Sequence, residues 1–281
     1  MKKVLYLILL LSAFTAQAQQ NVAFKIKYLP NHSYDGTVTL GMVFHVNLSG
    51  DSAIISKIAS QGITQPIAMN MNMKMSGNTK TGAVAAGQMF PITIKYKFDD
   101  MTAELNGNSV PIPTDKLGEG VSIYGHAGAN GRIQADSIGG KKNADTSQEN
   151  VKKLMNAIQK EIKYPDHPMQ IGETFNQDMP MNIPVAGNNI DMDAKSVYKL
   201  VSIANGNAYF DVQQSMNMTI PVAGVTITIV GTGTGKLVYS IKDNFATDFS
   251  SNLSLKVNGN VKKLLIDATA QINAEYKYTI N

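Results

Sequence analysis

The chain has 281 residues, with 25 basic and 21 acidic side chains, no cysteine and no tryptophan. Lacking cysteine, it has no disulfide, no thiol nucleophile and no cysteine for a lipoprotein signal to acylate. Arg132 is the one arginine, so the planar fork that reads phosphates and base edges is scarce, and no nucleic-acid partner is expected.

Residues 1–18 read as an export signal. Lys2 and Lys3 precede the apolar run Val4 to Leu11, which is too short to span a bilayer, and Ala16-Gln17-Ala18 is a small-x-small cleavage site. Cleavage after Ala18 leaves 23 basic residues against 21 acidic ones, close to neutral. No later stretch approaches the roughly 18 unbroken apolar residues of a membrane helix, so no transmembrane segment is expected in the mature chain. That chain is long enough to bury its own core.

Alternation with period two then runs through most of the sequence. Val22, Phe24, Ile26 and Tyr28 share one face. Val38 to Leu48 alternates next, Ser49-Gly50-Asp51 reads as a hairpin turn, and Ala53 to Ala59 is expected to return as a strand. Met69, Met71, Met73 and Met75 alternate with Asn70, Asn72 and Lys74, and Ile92 to Phe98 follows a small-residue loop. Asp99-Asp100 reads as a turn and Asn106-Gly107 as a strong one. Residues 107–145 hold short strands at best, at Val121 to Tyr124 and Arg132 to Ala135.

One amphipathic helix is expected, Thr146 to Lys163, with Val151, Leu154, Met155, Ile158 and Ile162 on its apolar face. Thr146 and Glu149 have capping-box spacing, and Tyr164-Pro165 ends it. Leu154 and Ile158 are expected to be buried against a sheet. Long strands resume at Thr174 to Val185, Ile190 to Ile203, Ala208 to Ile220, Val225 to Ser240, Phe245 to Val257 and Val261 to Ile280. Asn205-Gly206 and Asn258-Gly259 are hairpin signals. The pentapeptide Ile183-Pro184-Val185-Ala186-Gly187 returns as Ile220-Pro221-Val222-Ala223-Gly224, and both copies read as turns at the same end of a sheet.

The methionines are the most distinctive candidates. Met69, Met71, Met73 and Met75, then Met179 and Met181, then Met216 and Met218 recur at strand spacing. Three readings stand: an apolar core, a deformable groove for lipid-like ligands, or thioether ligation of cuprous copper. His32, His45, His126 and His167 are scattered without metal-pair spacing and read as isolated surface residues. Asp191 and Asp193 lack a calcium-loop context. Gly231-Thr232-Gly233-Thr234-Gly235 imitates a phosphate loop but precedes a strand, so it reads as a small-residue stretch where a strand bends or where backbones approach closely. Without a nucleophile elbow, a metal set or a cofactor motif, no cofactor and no enzymatic activity are expected.

The signal ending in Ala16-Gln17-Ala18-Gln19 resembles those of exported proteins of the Bacteroidota. Gly131-Arg132-Ile133 before the helix and Ile171-Gly172-Glu173-Thr174-Phe175 after it resemble an uncharacterised family of secreted β-rich proteins from that group. More remotely, the long meander with a helix is similar to periplasmic lipoprotein carriers, whose incurved sheet holds acyl chains.

The expected fold is all-β. Long antiparallel meander strands form two halves, 19–145 and 165–281, joined by an amphipathic helix over 146–164; an incurved sheet or half-barrel is one form this takes. The expected role is a non-enzymatic structural or interaction module of the cell envelope, periplasmic or extracellular. The alternative is a carrier or sensor of a hydrophobic ligand held by the methionines, with lipid or another envelope protein as partner.

Overall fold

The computed structural model describes residues 21–112, 120–128, 130–139, 162–185, 188–222, 225–261 and 263–281. The expected export signal and all but the last two residues of the expected helix, Leu154 and Ile158 included, lie outside the described residues.

The strands are β1 (Ser33–Gly50), β2 (Ile67–Thr81), β3 (Met89–Leu105), β4 (Asn108–Val110), β5 (Val121–Gly128) and β6 (Ile133–Gly139). They continue as β7 (Thr174–Val185), β8 (Asn188–Ala204), β9 (Asn207–Val222), β10 (Val225–Ser240), β11 (Phe245–Val261) and β12 (Leu264–Ile280). Among the described residues one α-helix, α1 (Ser52–Ser60), follows β1. All twelve strands lie in one antiparallel sheet ordered β6-β5-β3-β2-β1-β12-β11-β10-β9-β8-β7, with β4 on β3. The sheet is not closed into a barrel. The first and last long strands pair along their full length, from Tyr34 opposite Ile280 to Gly50 opposite Leu264. Pro180 and Pro184 fall on the edge strand β7, where a missing amide costs least.

Local chemistry sets the turns. Asn106-Gly107 and Asn205-Gly206 have positive φ at both positions (50° and 78°; 51° and 76°), which tight hairpins require. The pentapeptide copies are expected as turns, but Ile183–Val185 and Ile220–Val222 are strand, Val185 pairs with Asn188 and Val222 with Val225 at the same end of the sheet, and Ala186-Gly187 and Ala223-Gly224 lie outside the described residues.

Four expectations are corrected. Ala53 to Ala59 is not a strand but lies within α1. The Asp51 carboxylate accepts hydrogen bonds from the amides of Ala53 and Ile54, and Ile54, Ile55 and Ile58 have helical spacing. Asp99-Asp100 is not a turn. Lys74 pairs with Asp100 and Met75 with Phe98, so Asp99 is the extra residue of a bulge, held by Lys97 (3.0 Å) and Ser76 (3.0 Å). Asn258-Gly259 continues β11, pairing with Asp267 and Ile266, and the turn falls between Val261 and Leu264. Residues 22–28 keep their alternation but form only one bridge, Val22 to Met169. This segment crosses the strand ends instead of lying beside one. Its backbone bonds to loops and side chains: Lys27 N to Asn244 O, and Tyr239 Oη to Lys25 O.

That crossing segment shows how strongly the sheet curls. The Phe24 ring lies 5.1, 6.1, 4.8 and 5.0 Å from the rings of Phe175, Tyr198, Phe210 and Tyr239, on the successive strands β7, β8, β9 and β10. Flat strands would hold the first and last of these rings roughly 14 Å apart, yet both touch Phe24 and so lie within about 10 Å of each other. Further along, Tyr28 packs on Tyr34 of β1 and Phe245 of β11, and on the Phe90, Ile92 and Ala127 cluster of β3 and β5. Seven residues thus touch strands from β7 to β5, about 43 Å apart in a flat sheet, across an extended length of about 20 Å. The apolar face is therefore the inside of the curl at this end.

Candidate ligand-binding site

The candidate methionines share this inner face. Met69, Met71, Met73 and Met75 of β2 stand opposite Phe44, Met42, Leu40 and Val38 of β1. The row continues through Ala270, Ile272, Ala274 and Tyr276 of β12 to Leu255, Leu253, Ser251 and Phe249 of β11. Met216 and Met218 of β9 stand opposite Ala194 and Met192 of β8, and these opposite Met179 and Met181 of β7. The fold thus brings all eight onto one face, in two groups separated by β1, β12, β11 and β10. Met69, Met71, Met73, Met75, Met179, Met216 and Met218 are half-buried, whereas Asn70, Asn72 and Lys74 are exposed on the other face.

The inner face divides along the strands. At one end, Val22, Phe24, Met169, Leu200, Phe210 and Tyr239 form a fully buried cluster. Of the seven candidate methionines whose burial is described, Met69, Met71, Met73, Met75, Met179, Met216 and Met218, none belongs to that cluster or to the smaller one around Phe90. Burial at the aromatic end also shows in its phenols. Tyr164 is pushed up to about 12, chiefly by burial and then by Tyr239. Tyr198 is raised by burial, and Tyr276 by burial and then by Tyr198. Tyr276 and Tyr198 sit four strands apart in the sheet, so their influence acts across the curl.

Between the two ends lies a polar row that the sequence reading missed. Gln177 of β7 pairs with Ser196 of β8, and Ser196 with Gln214 of β9. On each strand aromatic or aliphatic residues lie to one side, Phe175, Tyr198 and Val212, and the methionine end to the other, Met179, Ala194 and Met216. Gln177 and Ser196 are each 7% exposed. Lys163 N donates to Gln177 Oε1 at 2.9 Å, and the Ser196 hydroxyl interacts with the Tyr198 phenol. Gln214 Oε1 is buried and accepts no hydrogen bond. In sequence each strand shows only one polar residue in its inward phase; the level they share appears in the strand register.

The glycines of β10 face inward beside this row. A Cβ on Gly231 would lie 2.2 Å from Leu255 Cδ2, and one on Gly233 3.1 Å from Leu253 Cδ1. Leucines of β11 lean over the gaps.

The histidines are not all isolated. His126 Nδ1 lies 2.7 Å from Asp136, and His167 contacts Asp166 (2.8 Å) and Glu173 (3.4 Å). Glu173 also accepts from Gln170 N, clasping the turn before β7. Asp166 raises His167 above its ordinary value, with Glu173 adding to the effect, and His167 lowers Asp166. Among the described residues, no three His, Asp or Glu side chains gather as a metal site. On the polar face a groove of about 760 Å3 is lined by Asp35, Lys95, Lys97 and Lys277 among others.

No family model matches the sequence, and no curated protein matches it. Among solved structures, a Bacteroides fragilis protein of YmcC-like fold, described as an exported protein, aligns at 10% identity and a TM-score of 0.21, over 92% of this chain and 99% of that one. Pseudomonas aeruginosa OpdQ aligns at 7% identity and 0.24, over 88% and 99%. The β domain of the Bordetella autotransporter BrkA aligns at 9% and 0.20, over 87% and 99%. At these scores the likenesses are remote and carry no functional argument.

Proposed function

We propose that this is an exported, non-enzymatic protein of the cell envelope that holds a hydrophobic, lipid-like ligand against the methionine half of its inner face. One observation carries the reading. Seven candidate methionines, all but Met181, whose side chain lies outside the described ones, line the inside of a curled sheet, yet they are half-buried and outside both buried clusters. A packed core would close over such side chains. Flexible thioethers instead fit an apolar surface that adapts to its occupant. No helix among the described residues is long and apolar enough to cross a membrane, so the apolar surface is supplied by the sheet.

The test uses protein purified from its native host. Solvent extraction and mass spectrometry should recover a co-purifying lipid. The emptied protein should bind an apolar fluorescent probe that the lipid displaces. Absence of both would sink the carrier reading and leave a structural envelope module.

A further inference from the structure

The row Gln177, Ser196 and Gln214 has no role in holding an apolar chain. It sets three polar side chains side by side on the apolar face, at the boundary between the packed aromatic end and the half-open methionine end. Two of the three are engaged within the protein: Gln177 with Lys163 N and Ser196 with Tyr198. The third is not, since Gln214 Oε1 is buried without a partner. A buried amide oxygen without a hydrogen bond is costly to keep, and apolar residues fill the same phase of β9 on either side of it. Its neighbour on β10 is Gly233, which has no side chain to cover it.

We infer that the ligand is an amphiphile with an uncharged hydrogen-bonding head, a hydroxyl or an amide, that docks head-first beside Gln214. Its chain runs from there along Met216 and Met218 toward the hairpin end. This rests on the carrier reading and adds orientation and head-group class to it. The head is uncharged because the inward positions in line with Gln214 on the strands beyond Gly233 are Leu253, Ile272, Met42 and Met71. A charge there would be desolvated without a counter-ion. It is a hydroxyl or amide because either one both donates and accepts, and so complements either orientation of the glutamine amide. From Gln214 to Ile220 β9 rises roughly 20 Å, room for a long acyl chain.

The test compares two ligands with one chain, 1-monooleoylglycerol and methyl oleate, as competitors of N-phenyl-1-naphthylamine. In the native protein the hydroxylated lipid should compete more strongly. In Gln214→Met that preference, read as the ratio of the two lipids' competition against the same probe, should fall about three- to tenfold, the range of one hydrogen bond. The melting temperature of Gln214→Met should equal or exceed that of the native protein, because an unpartnered amide has been removed. An unchanged preference, or a lower melting temperature, would overturn the inference. If neither lipid nor probe binds the native protein, the carrier reading itself has failed.

Discussion

The two ends of one apolar face are built from different side chains and stand in different states. At the aromatic end Phe24, 4% exposed, touches the rings of five other residues, and Tyr34, Leu200, Ala208 and Tyr239 are wholly buried. At the hairpin end the same strands carry methionine, isoleucine and leucine, and the methionines stay half-buried. The same strands β7 to β12 run through both ends. Among the described residues, the crossing segment 22–28 fills the curl at the aromatic end. A sheet with one apolar face needs something to bury that face. Among the described residues, the segment 22–28 supplies that filler for the aromatic half.

Raising the pH should break the aromatic end most completely. Burial holds Tyr28, Tyr164 and Tyr276 well above the ordinary 10.0, with Tyr164 at about 12. A raised folded value means that the neutral phenol is favoured in the folded state. Its contribution is whole below pH 10.0 and is lost as pH rises through the raised values. The protein should therefore unfold cooperatively above about pH 10, and tyrosine absorbance at 295 nm should change together with the loss of far-ultraviolet circular dichroism. Tyrosines that ionise one by one in a folded protein would show that this end is open.

Phe24→Ala should cost about 3–5 kcal/mol in urea unfolding, the range for emptying a large aromatic site. Met71→Ala, in the unfilled half, should cost less than about 1 kcal/mol and weaken apolar probe binding. Equal costs for the two substitutions would erase the distinction between the ends. Amide exchange sharpens it further: Leu200, Ala208 and Phe210 should exchange only through global unfolding, and Met216 and Met218 through smaller openings.

The smallest effect is expected at the exposed His167 clasp. His167 is raised above 6.5, so its contribution is present below that pH and lost as pH rises through its folded value. Asp166 is lowered below 3.8, so its contribution is present above that pH and lost on acidification. The pair acts in full between those values. His167→Gln should lower the melting temperature slightly at pH 5.5 and not at pH 9, two points on either side of the histidine value. A proton NMR titration of the imidazole should give a midpoint above 6.5.

Much of this organisation was legible in the sequence. Period-two alternation located the long strands, and Asn-Gly pairs marked two of the hairpins, because only positive φ satisfies that turn. The failures share a cause. Ala53 to Ala59 looked like a return strand until the Asp51 cap was considered. Asp99 and Asn258 looked like turns because their residue types favour turns, whereas pairing to neighbouring strands decided otherwise. The methionines could be assigned to one face from spacing alone, but whether that face is filled depends on where residues 22–28 run. Gln214 was overlooked because a single polar residue in an apolar phase is informative only beside Gln177 and Ser196, and that register is a tertiary fact.

The route of residues 22–28 also bears on when the molecule can fold. Phe24 has no site until Phe210 and Tyr239 are in place, and the Tyr239 phenol meets Lys25 across 214 positions of sequence. The first long strand likewise waits for the last, since β1 and β12 pair with each other. Contacts so distant must close large loops before they stabilise anything, which slows folding. The earliest-made part of this chain is thus among the last to settle, and until then its long strands keep open edges. Such a polypeptide stays open while it is being synthesised, and it needs protection from its own copies for the same interval.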